Sequence, residues 1–178
     1  ETKMFEIQKE IMQTIIGLSG MKSKSIFQSF KFAAEGLWHC IKNERNFRFH
    51  LFAAATIFLV LPYYNFSPVE ISAVVIIIAI VMICEIFNTA VEIIIDLKVK
   101  EFNQLAKAVK DVSAGGVLLG AVCAFLCGLF LFLKIDIIHN IIKDILSSPV
   151  KTIFSIIYLA AGYYFVKHFS AGRGKNKN

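Results

Sequence analysis

The chain has 178 residues, of which 57% are hydrophobic and 18% are charged, and its net charge is +6 at pH 7. Soluble globular domains are about 45–50% apolar, so this composition excludes an ordinary soluble domain. Because the apolar residues are collected in long runs, the sequence predicts an integral membrane protein. The basic residues lie beside those runs, which disfavours a nucleic-acid-binding surface and favours contact with anionic lipid headgroups.

Residues 1–20 form the first predicted element, an amphipathic helix with a broken apolar stripe. Its run MFEIQKEIMQTIIG resembles the C-terminal tail of the YbeY-type rRNA-maturation endoribonucleases. We therefore interpret residues 1–20 as an N-terminal extension, the remnant of an upstream segment. The metal-binding histidine motif of that family is absent from the chain, so the resemblance implies no nuclease activity.

The next elements predict an all-α integral membrane protein. Residues 25–42 are amphipathic and rich in aromatic side chains, which is typical of a helix lying in the membrane interface. Apolar runs at about residues 51–64, 69–97, 105–133 and 149–166 predict four transmembrane helices. We expect three core spans and an extra C-terminal span, reached through an amphipathic linker at residues 134–148 and followed by a basic tail that ends at residue 178.

The distribution of basic residues predicts the topology. Lysine and arginine precede the first span, lie between the second and third spans, and recur in the tail, whereas the loop between the first two spans has none. Under the positive-inside rule, both termini are expected to face the cytoplasm.

The second span carries polar residues at an unexpected depth. Glu85, Asn88, Glu92 and Asp96 are spaced by three, four and four residues, so they share one helical face. An ionisable group at membrane depth costs about 3 kcal/mol even on lenient scales. Such a face needs a compensating positive charge, most economically a divalent metal ion.

The third span begins with a matching set. Lys107, Lys110 and Asp111 lie at helical spacing, and the small residues 113–116 allow close helix approach. The two sets could simply neutralise each other. They could also bind the metal and phosphates of a phosphoryl-transfer reaction. No Walker A or protein-kinase signature is present, so the residues alone indicate a membrane site for a cation or a phosphorylated ligand.

Three motifs carry a family resemblance: KNERNFRFH, CEIFNTAVEIIID and KEFNQLAKAVKDVSAGGVLL. Together they closely resemble the small prokaryotic diacylglycerol kinase and undecaprenol kinase family, over about residues 27–133. The resemblance implies that residues 21–133 form a lipid kinase domain of the bacterial cytoplasmic membrane. It also implies a homotrimer of three-span subunits, with active sites between subunits at the cytoplasmic interface. The fourth span lies outside this plan.

The resemblance implies a role for each matching residue. Glu85 would be the catalytic base that accepts the proton of the lipid hydroxyl group. Glu44 and Glu92 would hold the Mg²⁺ ion bound to ATP, and Lys110 and Asp111 would contact the nucleotide phosphates.

Further residues would surround this centre. Glu101 and Asn103 would lie beside the nucleoside of ATP, while Asn88 and Asp96 would support the site. The approach of the lipid would be lined, next to Glu85, by Asn46, Arg48 and His50.

The acceptor is left open between undecaprenol and diacylglycerol. The FNT and SAGG variants resemble Gram-positive members of the family, in which undecaprenol is a common substrate, so we expect undecaprenol. Two other hypotheses stay open, a proton- or cation-conducting protein and a catalytically inactive scaffold. Conduction would need a polar lining along the whole span, and residues 73–83 of the second span offer none.

Overall fold

The computed structural model describes residues 26–169, and every regular element in that range is helical. The helices are α1 (Ile26–Asn43), α2 (Arg45–Val60), α3 (Pro68–Lys98), α4 (Gln104–Phe132), α5 (Ile135–Leu146) and α6 (Pro149–His168). A 3₁₀ turn at Leu61–Tyr64 extends α2. This architecture confirms the all-α prediction. The helix expected in residues 1–20 and the basic tail after residue 170 lie outside the described residues.

Within the part of the chain that the structure describes, four helical segments are long and apolar enough to cross a membrane: Arg45–Tyr64, Pro68–Lys98, Gln104–Phe132 and Pro149–His168. A helix of about 20 residues spans about 30 Å, so even the shortest of them matches the hydrocarbon thickness. The four predicted spans are therefore confirmed. The first span, which contains α2, begins at Arg45 and not near residue 51. Hydropathy alone places its first turns outside the span because they carry a basic cluster.

A side-chain cap fixes where α3 begins. At the start of α3, the Glu70 backbone N–H donates to the Ser67 hydroxyl group over 3.3 Å, and the Ser67 N–H donates to the Glu70 carboxylate over 2.8 Å. Pro68 follows at the first helical position, where its missing N–H costs no hydrogen bond. Before this cap, Asn65 adopts a left-handed conformation with φ of 31°, which reverses the chain between α2 and α3.

The chain divides into two compact units, residues 1–38 and residues 39–178. Of the first unit, residues 26–38 are described, and they form the beginning of α1 with several exposed aromatic side chains, including Phe27 and Phe30. The second unit contains all the long spans.

Two antiparallel helix pairs organise the second unit. Helices α3 and α4 pair along their length, because Asp96 contacts Lys110, Asn88 contacts Ser113 and Cys84 contacts the backbone at Gly120. Helices α2 and α6 pair in the same way, through the residue pairs Arg48–Val166, Phe52–Gly162 and Thr56–Tyr158.

Few side chains are buried within the second unit. Large apolar residues along the spans face outward, among them Phe87, Leu118 and Phe130, the last with 87% of its surface exposed. Such extensive apolar surface is expected where lipid or further subunits replace water. In contrast, the charged residues Arg48 and Glu85 rank among the most buried side chains of the described residues.

Candidate active site

Glu85 is the first residue of the polar face of α3 and lies near the middle of this helix. Only 2% of it is exposed, and its Oε1 atom is the one buried side-chain polar atom within residues 26–169 that makes no hydrogen bond. The Nε2 atom of His50, on α2, lies 3.4 Å from this oxygen. Leaving a buried polar group without a hydrogen bond costs about 1–3 kcal/mol. An oxygen held in this state is available to a ligand, which is typical of a functional carboxylate.

The end of α1 approaches the same stretch of α3. Thr89, one turn after Glu85, is buried and donates its hydroxyl hydrogen to the Glu85 carbonyl oxygen over 3.0 Å. Cys40 near the end of α1 is also buried, and this burial raises the pKa of its thiol above the ordinary value, while a hydrogen bond with Thr89 opposes the increase. The junction between α1 and α2 is therefore held close to Glu85.

A chain of hydrogen bonds links α4 to the second acidic residue of the face. The Ser113 hydroxyl group donates to Oδ1 of Asn88 over 2.7 Å, and Nδ2 of Asn88 donates to Oε1 of Glu92 over 2.9 Å. Because the Glu92 carboxylate can only accept, the amide nitrogen of Asn88 faces Glu92 and its oxygen faces Ser113. The sequence analysis treated Ser113 only as a small residue. Its hydroxyl group and its position three residues after Lys110 were the available signals.

Lys110 and Asp96 form an ion pair between the two helices. The Asp96 side chain is 66% exposed, and ion pairs at exposed positions contribute about 0–1 kcal/mol. The charges on α3 and α4 therefore neutralise each other at this outer pair. Neutralisation by this pair does not extend to Glu85 or Glu92, and the other lysine of the set, Lys107, is exposed.

The other predicted site residues lie at the ends of helices. Glu44 is half-buried and is the N-cap residue of α2, and Asn46 is exposed in the first turn. Glu101 is exposed in the loop between α3 and α4. Asn103 caps α4, because its Oδ1 atom accepts hydrogen bonds from two backbone N–H groups, of Leu105 and Ala106. Their proposed contacts with the metal, lipid or nucleotide stay predictions.

Arg48 was predicted to line the approach of the lipid, and this role stays a prediction. It is 1% exposed, and its guanidinium group donates hydrogen bonds to the carbonyl oxygens of Ile41, Lys42 and Val166. In this structure, Arg48 is a buried link between helices.

The acidic residues are the candidate ligands for the predicted metal ion. Within residues 26–169, no three side chains of histidine, cysteine, aspartate or glutamate are grouped closely enough to hold a metal by themselves. Mg²⁺ commonly binds one or two protein carboxylates and completes its shell with water and substrate phosphates. The hard oxygen donors Glu44 and Glu92 fit a magnesium ion that arrives with phosphate oxygens.

Comparisons with known proteins match the part of the chain that contains Glu85 and Glu92 to one family. The model of a family described as "Prokaryotic diacylglycerol kinase" matches residues 31–132. The undecaprenol kinase of Bacillus subtilis (strain 168) is 36% identical over 107 residues, which cover 60% of this chain and 87% of that protein. The diacylglycerol kinase of Synechocystis sp. is 33% identical over 105 residues, which cover 58% of this chain and 60% of that protein. No solved structure matches the chain.

Proposed function

Because the chain belongs to the prokaryotic diacylglycerol kinase family, a family of lipid kinases, we propose that it transfers the γ-phosphoryl group of ATP to the hydroxyl group of a membrane lipid alcohol. The observation that carries this proposal is the buried Glu85 carboxylate, whose Oε1 atom lacks a hydrogen bond within the described residues. It lies inside the family-matched region and beside His50.

In the proposed reaction, Glu85 is the general base. Its carboxylate accepts the hydroxyl proton as the lipid oxygen forms a bond to the γ-phosphorus atom. The bond from that phosphorus to the β–γ bridging oxygen of ATP breaks, and this oxygen leaves with ADP. General bases of this kind contribute about 10²–10⁴-fold to rate. The burial of Glu85 keeps the carboxylate away from competing water.

The remaining residues bind and orient the nucleotide. Glu92 and Glu44 would hold Mg²⁺, which, when bound, offsets the charge of the phosphate oxygens. Asn88 orients Glu92 by the hydrogen bond to its Oε1 atom. Lys110 would exchange its ion pair with Asp96 for the phosphates of ATP, and this exchange is inexpensive because the pair is partly exposed.

We propose undecaprenol as the preferred acceptor. The relative named undecaprenol kinase matches over a larger share of its own length than the one named diacylglycerol kinase, 87% against 60%. Diacylglycerol is the alternative acceptor. An ion-conducting function lacks comparable support, because residues 73–83, in the half of α3 away from Glu85, carry no polar side chain.

We further propose that the protein works as a homotrimer in the bacterial cytoplasmic membrane, with both termini in the cytoplasm and anionic headgroups around the basic loops. The even number of candidate spans within residues 26–169 supports placing the two ends of that range on one side of the membrane. The outward-facing apolar side chains, such as Phe87 and Phe130, leave room for subunit contacts. The active site would then lie at the cytoplasmic end of the spans.

A phosphate-transfer assay tests the proposal. The purified protein is reconstituted in bilayers that contain undecaprenol, diacylglycerol or neither, and transfer from γ-labelled ATP to the extracted lipid is measured with and without Mg²⁺. We expect Mg²⁺-dependent labelling of a lipid alcohol, faster with undecaprenol. Absence of transfer to both alcohols would refute the function, and faster labelling of diacylglycerol would refute the acceptor.

A further inference from the structure

The guanidinium group of Arg48 joins the ends of two helices. Its Nη1 atom donates to the carbonyl oxygens of Ile41 and Lys42 over 2.9 and 3.1 Å, and its Nε atom donates to the carbonyl oxygen of Val166 over 3.3 Å. These carbonyls belong to the last turns of α1 and α6, which end at Asn43 and His168. Helix C-termini carry unpaired carbonyl oxygens and a partial negative charge. A single buried cation therefore caps both helices.

Helix α6 also packs directly along α2. The Thr56 and Tyr158 hydroxyl groups are hydrogen-bonded over 3.0 Å, and the rings of Phe52 and Tyr158 are stacked with centroids 5.1 Å apart. Gly162 is buried beneath Phe52, where a Cβ atom would come within 2.1 Å of the ring. The close approach of the helices that lets Arg48 reach Val166 thus depends on a glycine at this position.

The segment that Arg48 caps is the junction of α1 and α2, here called the elbow (residues 40–50). The elbow contains Glu44 and His50, and His50 lies 3.4 Å from Glu85. It also contains Cys40, which is buried against Thr89. A displacement of the elbow would therefore move two residues of the proposed site relative to α3.

We infer that α6, which lies beyond the family-matched residues 31–132, positions the kinase site by holding the elbow through the Arg48–Val166 hydrogen bond, which forms because α2 and α6 approach closely at Gly162. Arg48 and Gly162 are positioning residues in this arrangement. The catalytic consequence rests on the proposed function, whereas the structural coupling between α6 and the elbow does not.

The test compares two glycine-to-alanine variants. In Gly162→Ala the new methyl group collides with Phe52, whereas in the control Gly128→Ala, on α4, it meets no atom within 4 Å. Both changes should favour the helix itself by about 1 kcal/mol, so a looser structure in the first variant reflects the collision. The double variant Phe52→Ala/Gly162→Ala removes the collision and serves as the rescue.

Two readouts separate coupling from catalysis. The first is the rate of maleimide labelling of Cys40, measured with the full chain in bilayers after Cys84, Cys123 and Cys127 are replaced by alanine. The second is kcat at saturating ATP per folded protein, with folding monitored by circular dichroism. Because misplacement by about 1 Å can cost on the order of a hundredfold in rate, we expect Gly162→Ala to lower kcat at least tenfold and to speed Cys40 labelling.

The outcomes are distinct. Faster labelling and lower kcat in Gly162→Ala, both restored by Phe52→Ala and both absent in Gly128→Ala, support the inference. Unchanged Cys40 labelling in Gly162→Ala overturns the coupling, and faster labelling with unchanged kcat overturns the positioning role. If the wild-type protein transfers no phosphate, the proposed function fails, and the labelling rates alone still decide whether α6 holds the elbow.

Discussion

The exchange Glu85→Gln separates the catalytic role of this carboxylate from any structural role. The amide has nearly the same shape as the carboxylate but is a poor proton acceptor. Since Glu85 is 2% exposed and lies in the polar face of α3, the side chain is expected to keep its position. We predict a large loss of phosphoryl transfer in a protein that remains folded.

The prediction has two parts, the change in kcat and the change in stability. Removing a general base lowers kcat by about 10²–10⁴-fold. Stability should respond in the opposite sense or not at all, because Oε1 makes no hydrogen bond that the change could break. Replacing a buried charge by a neutral amide lowers the desolvation cost of the side chain, which offsets the loss of the contact with His50.

The assay measures kcat in bilayers and the denaturant dependence of unfolding for the same preparations. The exposed Glu35→Gln is the matched control, since Glu35 forms only a 3.9 Å pair with Lys31 at the surface of α1. We expect Glu35→Gln to retain wild-type turnover. If Glu85→Gln keeps turnover within about tenfold of wild type, well short of the expected loss, the assignment of the base is wrong. A collapse of stability would show that the carboxylate is structural.

Two further predictions concern the surroundings of the site, and a third concerns the opposite end of the spans. Replacing Asn88 by alanine removes the 2.9 Å hydrogen bond that orients Glu92. We expect KM for Mg²⁺-ATP to rise about tenfold, because residues that orient metal ligands have effects of this size. Steady-state kinetics at varied Mg²⁺-ATP concentration measures this change. Lys110→Met should raise KM for ATP while leaving thermal unfolding nearly unchanged, because its partly exposed ion pair contributes little stability. At the other end of the spans, hydrogen bonds from Lys151 and, to a smaller extent, Tyr63 hold the pKa of Asp144 below its ordinary value of 3.8. The ionised Asp144 therefore stabilises the folded state fully at pH values above 3.8. This contribution is lost as the pH falls through the lower pKa of the folded state. Asp144→Asn should abolish this acid-dependent loss of stability, which unfolding measured between neutral and strongly acidic pH detects.

The regular elements were predictable from local sequence because each depends on nearby residues. Apolar runs gave the four spans, and the start of α3 follows from Ser67, Pro68 and Glu70, which lie within four residues of one another. The shared face of Glu85, Asn88 and Glu92 follows from helical periodicity alone. The structure bears this out by joining Asn88 and Glu92 through a direct hydrogen bond.

The long-range contacts could not be predicted in this way. Arg48 and Val166 are separated by 118 residues, and no local pattern indicates that an arginine in a basic cluster will cap a distant helix. From the sequence, Arg48 was predicted only to line the lipid approach, which stays a prediction, and the fourth span received no role. The buried fit of Gly162 under Phe52 is similarly hidden, because it depends on how α2 and α6 cross.

The most direct test of the central claim compares the wild-type protein with Glu85→Gln. Each protein is incubated with ATP and Mg²⁺ in bilayers that contain undecaprenol and diacylglycerol. The lipids are then extracted and identified by mass spectrometry. The proposed reaction predicts a lipid monophosphate, chiefly that of undecaprenol, with the wild-type protein, and little or none with the variant. Equal amounts of product from both proteins, or no phosphorylated lipid from the wild type, would contradict a kinase in which Glu85 receives the lipid proton.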